Sequence, residues 1–485
     1  MSGRNGEVSQ ESQAVNLEQQ TTQQQNIIDA KRYKRIKFFT PIRGVLNGAA
    51  AVFDGYYLTY FLTDVYKFPI AFTGVLSAVS VIMTWLLAPV FAAFTDRFKF
   101  KNAKFWPWMI TGSSILNLCY IIVMALPAFN IANTSMLAPA AFGLIIVARL
   151  AEQISRVPAL GMSPLITKLP TERRFLAQAA KIGHEAGKAV WGYIIPLFLG
   201  VMTALAGNVN LAFAIAGAFL FFLGWSESAI NSLFCIKGSY IEREAMKQTE
   251  IETKEKTTLS QMMKVLFTNR PVLGMFLFFT LHKTCFFIYT IYGISVYDHI
   301  FGRPESVGPF FTIFSGSAVA GVFCGKLWAR VFKDSKRSCM SSMMVHVAFT
   351  LIIALTFNKV AIPVFLILFA ISSFFMGMME SWVSPLFTAC AEYGRWKTGV
   401  TMNALVMTTQ GLSLSTAWLV PPIIATALLK PESYNQGLTY FFTWIPLILA
   451  VAALLSLMFI YNLNDAKIKK IQEDIEAGKI GKQRI

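Results

Sequence analysis

The sequence predicts an all-α membrane protein of twelve transmembrane helices, on three observations. The chain of 485 residues is 55% hydrophobic and only 14% charged, and its mean hydropathy is +0.53. Its apolar residues gather into segments near or above the roughly 20 residues that a spanning helix requires. No series of segments alternates apolar and polar residues as a membrane β-barrel would. A spanning helix satisfies every backbone N–H and C=O internally, which an extended or irregular segment in lipid cannot do.

The elements follow in order. Residues 1–38 begin with a Gln-, Ser-, Thr- and Asn-rich stretch that has too little apolar surface to fold alone and no signal-peptide core. They are expected to be a disordered cytoplasmic segment. Span one, 43–63, carries Asp54 among Tyr56, Tyr57 and Tyr60. Span two, 70–94, contains Thr84 and Pro89 and is followed by Asp96 and Arg97. Span three covers 106–127. Span four, 136–160, carries Arg149, Glu152 and Arg156 at i, i+3 and i+7, on one helical face that must look inward. Span five, 177–205, opens with Lys181, His184, Glu185 and Lys188 on one side, and span six is 209–235.

The hydrophilic stretch 237–270 then divides the spans six and six. It separates an N-terminal half, 39–236, from a C-terminal half, 271–462. Span seven, 271–296, holds His282 and Lys283; spans eight and nine are 306–330 and 339–357. Span ten, 361–388, holds Glu380 near Trp382, and spans eleven and twelve are 401–429 and 438–462. A helical cytoplasmic tail, 463–485, ends the chain. Pro89, Pro158, Pro164, Gly187, Pro196, Pro385, Pro421 and Pro422 permit bends inside or beside the spans.

The net charge of +17 does not indicate nucleic acid, because the basic residues fall into alternate loops rather than one patch. The loops on the side of the termini carry 32 Lys and Arg from residue 31 onward; the opposite loops carry only Lys67, Arg303, Lys359 and Lys430. By the positive-inside rule both termini are cytoplasmic, in an integral protein of the cell membrane. Six cysteines without a paired spacing indicate neither a disulfide framework nor a metal site. No nucleophile–base pair, phosphate loop or cofactor motif indicates an enzyme.

In-span charges are the candidate functional residues, since lipid makes them costly unless they face a cavity or a partner. Arg149 and Glu152 can pair with each other, which leaves the Arg156 guanidinium, beside Pro158, as a clamp for a carboxylate, sulfonate or phosphate. Tyr57 and Trp382 offer apolar ring faces to a sugar-like solute. A polar stretch at 389–399, containing Glu392 and Lys397, lies between two long apolar segments. Lys397 is a candidate coupling residue.

Five motifs resemble those of the glycoside-pentoside-hexuronide:cation symporters, the melibiose-permease branch of the major facilitator superfamily. They are Tyr60-Phe61-Leu62-Thr63-Asp64-Val65, Lys104-Phe105-Trp106-Pro107-Trp108, and Arg156-Val157-Pro158 with Pro164 and Thr167. Asn269-Arg270-Pro271 and Glu392-Tyr393-Gly394-Arg395-Trp396-Lys397-Thr398-Gly399 complete the set. The resemblance implies two six-helix halves, a midplane solute site and cation-coupled transport by alternating access. It also exposes departures. Where sodium-coupled members carry two span-two aspartates, this chain has Thr84 and Ala88, so a hard cation lacks charged oxygen ligands. Proton coupling through Asp54, Glu152 or Glu380, or uncoupled flow, replaces the sodium expectation. The family's sugar-binding aspartates align with Gly48 and Arg156, and its span-five arginine aligns with Lys181.

The expectation is therefore a monomeric secondary transporter without a cofactor, moving an anionic sugar-like solute such as a uronide or sulfonated sugar. Arg156, Lys181, Asp54, Glu152, Arg149, Tyr57 and Trp382 are the expected solute residues. Lys397, Glu380, Glu392, Asp96, Arg97 and Thr84 are those for coupling or gating. A lysolipid carrier of the same fold, or a transport-dead sensor or scaffold, are the alternatives.

Overall fold

The computed structural model describes residues 29–97, 103–129, 134–162, 166, 170–243, 269–398 and 403–477. Regular structure among them is helical. We number the helices α1 (29–65), α2 (Ile70–Arg97), α3 (Trp106–Ala125), α4 (Thr134–Met162), α5 (Pro170–Ala206) and α6 (Val209–Ala229). The second set is α7 (Arg270–His299), α8 (Val307–Phe332), α9 (Ser335–Thr356), α10 (Ile362–Thr398), α11 (Asn403–Leu428) and α12 (Tyr434–Leu455), followed by the tail helix α13 (Asp465–Glu476). Among the described residues, eleven helices are long and apolar enough to cross a membrane. The twelfth expected span, α1, is interrupted by two π turns, Phe53–Tyr57 and Phe61–Val65, the first of which carries Asp54.

Contacts repeat between the two sets of six. In the first, α3 packs on α4 and α6, and α2 packs on α4; in the second, α9 packs on α10 and α12, and α8 on α10. The sets meet through α2 against α11, α5 against α8, and α1 against α7. Helix ends are set by local chemistry. The Asn269-Arg270-Pro271 motif starts α7, with Asn269 as the cap accepting from Val272 N and Pro271 in the first turn.

Three sequence expectations change. Residues 29–38, placed in the disordered start, are helical: Tyr33 and Lys37 reach Glu172, and Arg243 binds Asp29. Ile36 and Phe39 pack beneath them. The polar stretch 389–398 continues helix α10 rather than forming a turn. Cys390 and Ala391 are buried, while Tyr393 and Trp396 pack onto the core, which gives this segment an apolar face despite its charges. The stretch assigned to the central loop begins with a docked turn. Glu242 is 1% exposed and accepts from the backbone N–H groups of Lys104, Phe105 and Trp106, so it caps α3 across the chain.

At the close crossing of α1 and α5, each helix carries a Gly-x-x-x-Gly pair: Gly44 and Gly48 on one, Gly183 and Gly187 on the other. A Cβ built on Gly48 would lie 2.9 Å from the Lys188 backbone nitrogen and closer still to the His184 carbonyl oxygen. Only glycine lets two backbones approach this way.

Candidate functional site

A cavity of about 450 Å³ lies between the two sets of helices. From the first set it is lined by Asp54 of α1, Thr84 of α2, Arg149, Glu152, Gln153 and Arg156 of α4, and His184, Glu185 and Lys188 of α5. The second set supplies Lys283, Phe286 and Phe287 of α7 and Trp418 of α11. Inward placement follows from helical spacing: Arg149, Glu152, Gln153 and Arg156 share the face of α4 that meets the cavity.

The charges are mostly paired. Arg149 donates from Nη2 to Asp54 Oδ1 at 2.8 Å and from Nη1 to Asp54 Oδ2 at 3.0 Å. Its Nη1 also reaches Glu152 Oε2 at 3.2 Å, and the Tyr120 hydroxyl donates to Asp54 Oδ1 at 3.0 Å. A planar guanidinium meeting a carboxylate with two parallel N–H groups holds both groups in register. Lys188 Nζ lies 2.6 Å from Glu185 Oε2 and stands 4.7 Å from the Phe286 ring centroid. Lys283 lies 2.6 Å from Glu380 Oε1. Arg156 makes no hydrogen bond or ion pair among the described residues, and so presents the free guanidinium of this cavity.

The lining contains four basic side chains, Arg149, Arg156, Lys188 and Lys283, against three acidic ones, Asp54, Glu152 and Glu185. Behind it, Glu380 is matched by Lys181 on the α5 side at 2.9 Å, so the surplus cation remains. Breaking the Asp54–Arg149 pair from one side strands its partner in a largely desolvated place. Asp54→Ala is expected to lower stability by about 2–4 kcal/mol, and Asp54→Ala with Arg149→Ala by clearly less than the two single changes together. Thermal unfolding of the four proteins in detergent checks this; additive losses would mean that the pair is not coupled.

Several expected site residues lie elsewhere. Lys181 and Glu380 face one another in an ion pair between α5 and α10, bridging the two sets of helices rather than lining the cavity. Tyr57 and Trp382 are buried in the core. Side chains of that size fill the space between helices, and the aromatic rings on the cavity are instead Tyr56, Phe286, Phe287 and Trp418. Glu392 accepts from Gln472 of the tail helix at 3.0 Å, and Lys397 stands in the last turn of α10, away from the cavity. A lysine there complements the negative end of the helix. Thr84 lines the cavity, donating to Ser80 O at 2.9 Å with Gln153 Nε2 at 3.5 Å. Asp96 and Arg97 end α2, and their side chains lie outside the described residues, as do Pro164 and Thr167.

Sequence reading noted Lys188 and Lys283 as in-span charges but gave them no role, and it missed Gln153 and Trp418. Polar residues next to Glu152 could have raised Gln153; a tryptophan in an apolar span carries no such signal. Another connection between the sets lies at the end opposite the termini. Here His299 Nε2 stands 2.9 Å from Asp64 Oδ1, and the Tyr60 hydroxyl donates to Asp298 Oδ2 at 3.1 Å. The Tyr60–Val65 motif is thus engaged with the end of α7.

Residues 45–465 match the family described as MFS/sugar transport protein. The chain is 23% identical over 440 residues to the uncharacterized symporter YjmB of Bacillus subtilis, covering 86% of this chain and 90% of that one. It is also 23% identical over 446 residues to a putative 2,3-dihydroxypropane-1-sulfonate exporter of Salmonella typhimurium, covering 87% and 91%. In fold it is similar to a bacterial homologue of the iron transporter ferroportin in an inward-facing state, with TM-score 0.63, 12% identity, and 88% and 99% coverage. The nucleoside transporter NupG is similar too, with TM-score 0.55, 15% identity, and 88% and 98% coverage.

Proposed function

The chain belongs to the MFS/sugar transport protein family, and from that premise we propose that it carries an anionic, sugar-like solute across the membrane by alternating access, coupled to protons. The observation that carries this reading is Arg156, a cation on the cavity wall without a partner among the described residues. A free guanidinium on a cavity wall gains most from an oxyanion of fixed geometry, such as a carboxylate or sulfonate, which it can engage through two N–H groups. Trp418, Phe286 and Phe287 supply flat apolar surfaces for the carbon face of a small polyol or ring. The volume falls within the roughly 300–1,000 Å³ common for small-molecule sites. The named solute of the Salmonella relative, a hydroxylated sulfonate, is of the same chemical class and supports the anionic reading.

Proton coupling is favoured by the residue type at Thr84, which brings a hydroxyl and no carboxylate to the cavity and has Gln153 as its neighbour; a sodium ion held there would lack the charged ligand that α2 supplies in sodium-coupled members. Helices α1–α6 and α7–α12, the N-terminal half 39–236 and the C-terminal half 271–462, are the two bodies that would rock about the cavity, with both termini in the cytoplasm. The test is uptake into proteoliposomes of methyl glucuronide, 2,3-dihydroxypropane-1-sulfonate and neutral methyl glucoside. Each is offered a proton gradient, a sodium gradient or neither. Proton-driven accumulation of an anionic member is the expected result. Sodium-driven uptake of the neutral glucoside would overturn both the charge and the coupling assignments.

A further inference from the structure

Two of the chain's four histidines are buried beyond the cavity wall, and their hydrogen bonds leave a specific deficit. His282 of α7 is 1% exposed and places Nε2 3.2 Å from Glu380 Oε1. A carboxylate in two lysine ion pairs only accepts, so Nε2 carries the hydrogen and Nδ1 is a lone pair. His346 of α9 is fully buried, with Nδ1 3.1 Å from the Ser372 carbonyl oxygen. The Ser372 hydroxyl lies 3.0 Å from the same Nδ1 and can donate to it or accept from it, so either ring nitrogen of His346 can carry its hydrogen. His282 Nδ1 and His346 Nε2 are both buried without a hydrogen-bond partner among the described residues. The two imidazoles lie within electrostatic reach of each other.

The groups facing His282 are Glu380 of α10, Lys283 of its own helix, Lys181 of α5 and His346. The Cys339 thiol of α9 feels Glu380 as well. Of these, Lys181 alone comes from the first set of helices. Its bond to Glu380 must break whenever the two sets separate at that place. The departure of Lys181, whose side chain is 44% exposed, removes one positive charge from beside the buried Glu380, and a proton on His282 replaces that charge in kind.

We propose that His282 is the binding site of the coupling proton: its Nδ1 lone pair takes a proton when Lys181 leaves Glu380 and releases it when Lys181 returns. Only an N–H bond forms and breaks, and the proton comes from and returns to water. Glu380 stays ionised throughout. The inference rests on the proton-coupled carrier reading and gives it a location in the C-terminal half, on the opposite side of the cavity from Asp54 and Glu152.

The test uses the full chain in lipid nanodiscs with nitrogen-15-labelled histidine, four signals assigned by single His→Gln changes. Lys181→Met is expected to turn the His282 signals from the neutral to the imidazolium pattern at mildly acid pH. Lys181→Arg should keep the wild-type pattern, and adding Glu380→Gln to Lys181→Met should abolish the imidazolium. A neutral His282 in Lys181→Met would overturn the inference. In proteoliposomes, His282→Gln is expected to reduce proton-driven accumulation of methyl glucuronide at least tenfold more than it reduces counterflow exchange. If His282→Gln accumulates solute like the wild type, this inference fails while the carrier reading stands; if the wild type shows no proton-driven uptake yet Lys181→Met gives the imidazolium, the coupling reading fails and the coupling role of His282 with it, while its protonation on loss of Lys181 stands.

Discussion

Arg156→Ala is expected to raise the half-saturation concentration for an anionic solute about 30-fold or more, with little change for a neutral glycoside. Truncating one member of a desolvated charge-assisted contact costs roughly 2–5 kcal/mol, and each 1.4 kcal/mol is a factor of about ten. Arg149 cannot take over, because both of its nitrogen termini are engaged by Asp54 and one also by Glu152. Lys188 and Lys283 are similarly held by Glu185 and Glu380. Arg156→Lys keeps the charge but loses the two-pronged geometry, so it should restore only part of the affinity. Initial uptake rates with methyl glucuronide and methyl glucoside decide the matter. A half-saturation value within threefold of wild type in Arg156→Ala would remove this residue from the solute site.

Gly48→Asp carries the second large effect: no folded, monodisperse protein is expected. A side chain at this position must enter the backbone of α5 between His184 and Lys188, where the hypothetical Cβ lies 3.0 Å from the Gly187 Cα. Gly48→Ala alone overpacks a helix crossing, for about 1–3 kcal/mol, and should lower the unfolding temperature in detergent measurably. The aspartate adds a charge with no partner and no room. This explains a departure visible in the sequence. The position that aligns with the family's span-one aspartate cannot hold a carboxylate here, because α1 and α5 have closed over it. A Gly48→Asp protein that purified and unfolded like its parent would mean that the crossing is looser than its geometry implies.

The cluster around Glu380 shows why charge alone is a poor guide to a cavity. Lys181 aligns with the family's span-five arginine and Arg156 with a solute-binding aspartate, and the sequence suggests one cavity for both. Arg156 does line it. Lys181 lies near the beginning of α5, where its chain reaches across to Glu380. The five-residue span between Lys181 and Gly187 is also where α5 crosses α1, so the rotation of α5 is fixed by glycine packing rather than by its polar residues. Likewise, the polar motif at 392–397 faces the tail helix. Asp465 and Asp334 bind each other's helix starts, Asp334 accepting from the Asp465 backbone and Asp465 from that of Ser335. Ile471 of the tail helix is buried.

What the sequence determined by itself was the class of the molecule: long apolar runs can satisfy their backbones in lipid only as helices, and the in-span charges had to point inward. It also picked out Arg156, because spacing along one helix fixes which residues share a face, and Asp54, because an in-span carboxylate is costly unless it finds a cavity or a partner. What only the tertiary structure decided was partnership. Whether Arg149 pairs with Glu152 or with Asp54, whether Trp382 or Trp418 meets the cavity, and whether Glu380 serves the solute or links the two sets depend on the rotation and approach of separate helices. Those are set by contacts between residues far apart in the chain, such as Gly48 against His184 and Lys181 against Glu380, and no local pattern encodes them.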